Sequence, residues 1–150
     1  MLSCAASPAA DPAGLNAAFP ESEPGSAEFG AGTMLASGAH DGSIVLWAAA
    51  TGQPIGAPLL GHHGKIFGLA FSPDGKILAS GSEDRTVILW DAKTGVALGP
   101  PLTGHEKWAL GSDPWGLSVA FSPDGSMLAL AAKDRNVILW DVASRRPAGD

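Results

Sequence analysis

Short apolar runs recur along the chain, each four to six residues long and bounded by Gly, Pro, Asp and Ser. Three of them end in tryptophan: IVLW at Ile44 to Trp47, VILW at Val87 to Trp90 and VILW at Val137 to Trp140. Runs this short between turn residues read as strands rather than helices. Around Thr86 to Trp90 the pattern predicts strand a at Ile66 to Phe71, strand b at Lys76 to Gly81, strand c at Thr86 to Trp90 and strand d at Val96 to Leu102. Ser72-Pro73-Asp74-Gly75 joins a to b, with proline presetting φ at the second turn position. Strand c is apolar on both parities, Val87 and Leu89 on one face and Ile88 and Trp90 on the other. A sheet with one wet face would alternate with polar residues, so this strand expects cover on both sides.

The same order of elements occurs three times. The tryptophans stand 43 and then 50 residues apart, and the excess lies between His105 and Phe121. Before the first of them, Met34 to Ser37 and Ser43 to Trp47 flank Asp41-Gly42, a strong hairpin signal, and Pro54 to Leu60 follows as an outer strand. No convincing strand a precedes this unit. The third unit has strand a at about Gly116 to Phe121, b at Ser126 to Ala131 and c at Asn136 to Trp140, and its strand d is missing.

Gly61-His62, FSPDG at Phe71 to Gly75, LASGS at Leu78 to Ser82, Asp84 and Trp90-Asp91 resemble the WD40 repeat in order and spacing. The linkers TGQPIGAPLLGH and TGVALGPPLTGH are similar to those of bacterial members. The resemblance runs from Thr33 to about Asp150. It implies an all-β fold, a partial β-propeller of about three blades at residues 33–60, 61–103 and 104–150, with one complete and the first and last incomplete. At 150 residues the chain is too short for the usual ring of 4 to 8 blades, so an open arc is expected rather than a closed ring.

Residues 1–32 are rich in Ala, Pro, Ser and Gly and read as a flexible acidic leader. Within them GLNAAFP, at Gly14 to Pro20, is loosely similar to FGLAFSP at Phe67 to Pro73. It is either plain tail or a decayed innermost strand. Net charge is −6, and no Lys or Arg precedes Lys65. An acidic chain without a basic stripe lacks the footprint of a nucleic-acid binder. The single cysteine, Cys4, cannot form an internal disulfide. With no positively charged, apolar leader and no spanning segment, a cytoplasmic protein without membrane contact is expected.

His62, Ser80 and Asp84 are the residue types of a nucleophilic triad. The resemblance implies a structural role instead. In it the Trp90 indole donates to Ser80, the Ser80 hydroxyl to His62, and the other His62 nitrogen to Asp84, so that buried polar groups are paired. No GxSxG elbow is present, and no catalytic residues, cofactor or metal are expected. The corresponding positions in the first unit are Ser37, Asp41 and Trp47, without an upstream Gly-His. In the third they are His105, Asp134 and Trp140, with Leu130 where serine is required. A weaker blade or a trapped water is expected there.

By the same resemblance, partners dock on the face that carries the d-to-a and b-to-c loops. The matching positions are Lys65, Phe67, Glu83, Trp115, Leu117 and Lys133, with His40 in the first unit and Trp108 added by the insertion. Two tryptophans on one loop suit an interaction hot spot. The expected activity is non-catalytic recognition of a protein or peptide, with homo-oligomers or other blades completing a ring. Two alternatives stand beside it: the C-terminal sensor portion of a larger signalling enzyme of NTPase or kinase type, and a decayed fragment without a function of its own.

Overall fold

The computed structural model describes residues 24–30, 34–103, 117–131 and 137–148, the first of these as a backbone path. All regular structure among the described residues is β-strand, arranged as three antiparallel sheets in an open arc. The first sheet orders β1 (Pro24–Gly30), β2 (Met34–Ala39) and β3 (Ile44–Ala48). The second orders β4 (Ile66–Phe71), β5 (Ile77–Ser82) and β6 (Val87–Asp91). The third holds β7 (Ser118–Phe121), β8 (Met127–Ala131), β9 (Val137–Asp141) and the two-residue β10 (Arg146–Pro147).

These are the a, b and c strands that the apolar runs predict, with ends shifted by one or two residues. Three differences matter. First, β1 lies inside the stretch read as leader and fills the strand a place that the first unit was expected to lack. It pairs with β2 from Pro24 opposite Ala39 to Gly30 opposite Met34, with an irregularity between Pro24 and Ser26. β4 repeats that irregularity between Ile66 and Gly68, so β1 stands in the same register as β4. PGSAEFG has too few apolar residues to announce itself as a strand; backbone pairing to β2 and packing beside β4 define it. The GLNAAFP segment lies outside the described residues.

Second, the outer strands expected at Pro54 to Leu60 and Val96 to Leu102 reduce to isolated bridges. These are Trp47 with Pro54, Ile44 with Leu59, Trp90 with Ala97 and Val87 with Leu102. Proline and glycine between the bridge points withhold donors and bend the backbone away from the ladder. Third, the last unit does begin its strand d, as β10, and Ala148 N donates to Leu139 O at 2.7 Å.

The core lies between sheets. Ile44, Leu46 and Leu59 of the first blade pack on Ile66, Leu69, Leu78, Ile88 and Trp90 of the second. Val87, Leu89 and Leu102 on the other face of the second blade pack on Leu117, Val119, Leu128, Leu130 and Trp140 of the third. Strand β6 is therefore covered on both faces, with Val87, Ile88, Leu89 and Trp90 all buried. Each such side chain contributes about 1.5–3 kcal/mol when taken out of water.

Two glycines set how closely the blades approach. A Cβ on Gly38 would lie 2.4 Å from Ile66 Cγ2, and one on Gly81 would lie 2.4 Å from Leu117 Cδ2. Both glycines follow the serine of strand b, and each receives the opening residue of the next blade. This is the close backbone approach for which only glycine has room.

Candidate functional site

The site grows from the second blade, where hairpin geometry gathers residues distant in sequence. Ser80 stands on β5 opposite Ile88 of β6, and Trp90 lies two residues further on the same face. The Trp90 indole Nε1 donates to Ser80 Oγ at 2.8 Å. Ser80 Oγ lies 2.8 Å from His62 Nε2, and His62 Nδ1 lies 2.9 Å from Asp84 Oδ2. One assignment satisfies every group. His62 Nδ1–H donates to the carboxylate, Nε2 accepts the Ser80 proton, and the Ser80 lone pairs accept from Trp90.

Asp84 is more heavily engaged than the sequence suggests. It accepts from the His63 backbone N–H at 2.8 Å, from the Thr86 N–H at 2.9 Å and from the Thr86 hydroxyl at 2.6 Å. Burial pushes its carboxyl up. The Thr86 hydroxyl, the His63 N–H and His62 outweigh that and hold it below the usual carboxylate range. Thr86 was not among the sequence candidates, although its place two residues after Asp84 is that of an Asx-type turn.

Around this chain the two loops are tied together. Ser82 Oγ donates to Gly64 O at 2.9 Å, and Glu83 N donates to Lys65 O at 2.8 Å. Ser80 is fully buried and His62 is 7% exposed, so the serine that a triad would need faces no solvent. The arrangement can hold loops; it offers no open nucleophile. Among the described residues no group of three His, Cys, Asp or Glu is placed to hold a metal ion.

In the first blade Trp47 Nε1 donates to Ser37 Oγ at 2.8 Å, and Asp41 Oδ1 accepts from Ser43 N and Ser43 Oγ at 2.9 and 2.6 Å. In the third blade Leu130 occupies the register place of Ser80, opposite Ile138. Trp140 Nε1 is buried and finds no hydrogen-bond partner among the described residues. His105 and Asp134 lie outside them.

Of the expected docking residues, His40 and Glu83 are exposed, and Lys65 and Phe67 are half-buried, Phe67 against the second inter-blade cluster. Leu117 is a correction. It is 2% exposed and fills the space above Gly81, so it belongs to the core rather than the rim. One residue of shift in a strand moves a side chain to the other face, which spacing alone could not settle. Trp108, Trp115 and Lys133 lie outside the described residues. His63, exposed beside the His62 anchor, joins His40 and Glu83 as a free side chain on these loops that the sequence reading did not select.

Comparison with known proteins agrees with this geometry. The family profile described as "WD domain, G-beta repeat" matches residues 30–48, 52–91 and 100–141. A search of curated proteins finds no significant match. Among solved structures, the chain is similar to one titled "Structure of U3-55K", with a TM-score of 0.76, 24% identity, and coverage of 88% of this chain and 40% of that one. It is also similar to "Crystal structure of RRP9 WD40 repeats", with a TM-score of 0.76, 25% identity, and coverage of 88% and 39%. The chain thus spans about two fifths of the length of these structures. Three profile matches, one per blade and together covering more than half of the chain, place this protein in the WD40 repeat family.

Proposed function

We propose that this chain is a non-catalytic recognition scaffold, with a protein or peptide as its partner. The docking surface is the face that carries the d-to-a and b-to-c loops. The observation that supports this most directly is the way those loops are held. The buried chain of Trp90, Ser80, His62 and Asp84 pins the backbone, and the neighbouring His63 and Glu83 project into solvent from the pinned segments. A surface ordered before the partner arrives loses less entropy on binding. His40 extends the same rim on the first blade.

A peptide array probed with the full chain tests the reading, followed by titration of the best peptide. Replacing His63 and Glu83 together by Ala and Lys should weaken binding at least about tenfold, since these exposed residues contribute to contact rather than folding. Circular dichroism should be unchanged. Peptides bound equally well by the double variant, or an array with no binder, would overturn the proposal.

A further inference from the structure

Two residues other than glycine take a left-handed backbone among the described residues, Arg85 at φ 69° and Arg145 at φ 55°. From the contrast between them we infer that Arg85 is a specificity residue of the docking face, taking a single carboxylate side chain, Asp or Glu, of the partner peptide. The inference rests on the recognition role and goes beyond it in naming what the partner must carry.

A left-handed backbone costs a side chain free energy that glycine avoids. The b-to-c turn of the first blade has glycine at this place. Gly42, at φ 87°, donates its N–H to Ala39 O at 3.2 Å, as Arg85 donates its own to Ser82 O at 3.0 Å. In both turns the aspartate just before accepts from the backbone N–H and the hydroxyl of the residue just after, Ser43 or Thr86. The turn is thus the same, and arginine is less stable in it than glycine. For Arg145 that cost is offset within the fold. Its guanidinium lies over Gly99, where a Cβ would collide with it, and Nη1 donates to Leu98 O, tying the third blade to the second. Arg85 has no such tie: its side chain is exposed and forms no hydrogen bond or ion pair among the described residues. Strain that the fold does not use points to a contact outside the fold.

The loops around Arg85 form one strip. A Cβ on Gly42 would lie 2.9 Å from His62 O, so the first b-to-c turn abuts the following d-to-a loop. Ser82 Oγ and Glu83 N tie that loop to the turn that bears Arg85. Within the strip Asp41, His62 and Asp84 are held by partners of its own. Lys65, Glu83 and Arg85 form no ion pair among the described residues, so two of these three uncommitted charges are cationic. Lys65 is half-buried, which leaves Arg85 as the exposed one of the two. A guanidinium suits a carboxylate because its planar fork donates two parallel hydrogen bonds. Glu83, exposed two residues before Arg85, repels a run of acids. A single carboxylate is therefore expected rather than an acidic tract.

The test is a peptide array built in pairs that differ only in Asp or Glu against Asn or Gln, probed with the full chain and with its Arg85→Gly and Arg85→Glu variants. For the peptide bound best, the acidic member should bind at least about tenfold more tightly than its amide twin, and Arg85→Gly should remove that preference. Arg85→Glu should prefer the amide twin. Arg85→Gly should also raise the urea midpoint, since glycine takes the left-handed backbone without a Cβ to place. Circular dichroism checks that each variant is folded, and Arg85→Asn, which tolerates this backbone, replaces any that is not. A preference for the acidic twin that survives in Arg85→Gly would overturn the inference, as would twins bound equally by the wild type. In both cases a peptide is still bound and the recognition role stands. A midpoint that does not rise would overturn the inference as well, because no backbone cost would be left to explain. An array with no binder would overturn the recognition role and this inference with it.

Discussion

At the scale of single residues, one serine separates a satisfied blade from an unsatisfied one. Ser80 gives Trp90 an acceptor and links it to His62; with Leu130 in that place the Trp140 indole N–H is buried without one among the described residues. Breaking a buried hydrogen bond costs about 1–3 kcal/mol, because the remaining partner stays desolvated. Trp90→Phe should therefore lower the stability measured by urea unfolding by about 1–3 kcal/mol more than Trp140→Phe, which removes an N–H that has no partner among the described residues. Leu130 offers a second comparison. Both Leu130→Ala and Leu130→Ser open a cavity at a buried site. Serine is ordinarily the worse buried residue, yet here it can accept from Trp140, so Leu130→Ser should be the more stable of the two by about 1 kcal/mol in the same assay. The role of His62, Asp84 and Trp90 was legible only as what the resemblance to the repeat implies, since the residue types by themselves also fit a nucleophilic triad. That of Thr86 was not, since a hydroxyl two residues from a carboxylate becomes a partner only once the turn has formed.

At the scale of elements, the turns and the blade junctions carry the specificity. In the a-to-b turns Ser72 donates to Asp74 at 2.6 Å, and Ser122 donates to Asp124 at 2.5 Å. The Ser122 hydroxyl and the Ser126 N–H and hydroxyl hold the Asp124 carboxyl down to about 2. Asp74, Asp84, Asp91 and Asp141 are also held below the ordinary value of 3.8. A depressed carboxylate binds its proton more weakly folded than unfolded, so its contribution is complete above the unfolded value and is lost as pH falls through the folded one. Urea midpoints should thus be flat at neutral pH and decline between about pH 4 and pH 2. In Asp84→Asn, whose whole curve lies lower, the decline should be shallower. At the junctions, Gly38→Ala and Gly81→Ala would force Ile66 and Leu117 aside, and unfolding should show a cost of about 1–3 kcal/mol for each. The strand a of the first blade belongs to this scale as well. Its sequence carries little apolar signal, and only pairing with β2 and packing beside β4 give it a place.

At the scale of the whole molecule, the blades differ in how far they are covered. The second is shielded on both faces by its neighbours, whereas the third leaves Val137 and Leu139 in solvent. Amide hydrogen exchange should be slowest in β5 and β6 and faster in β8 and β9. Uniform protection across the three sheets would contradict an arc whose stability comes from inter-blade burial. The repeat itself and the order of strands within it were determined by the sequence alone, because each is a local pattern of apolar runs, turn residues and spacing; the residues of the buried network followed from the resemblance that this pattern carries. The tertiary structure decided the matters that depend on two blades at once. It showed that Leu117 fills the gap above Gly81 and that β1 enters the first sheet in the register of β4. The physical reason is that burial and close approach are properties of a pair of surfaces, and no single stretch of chain contains both.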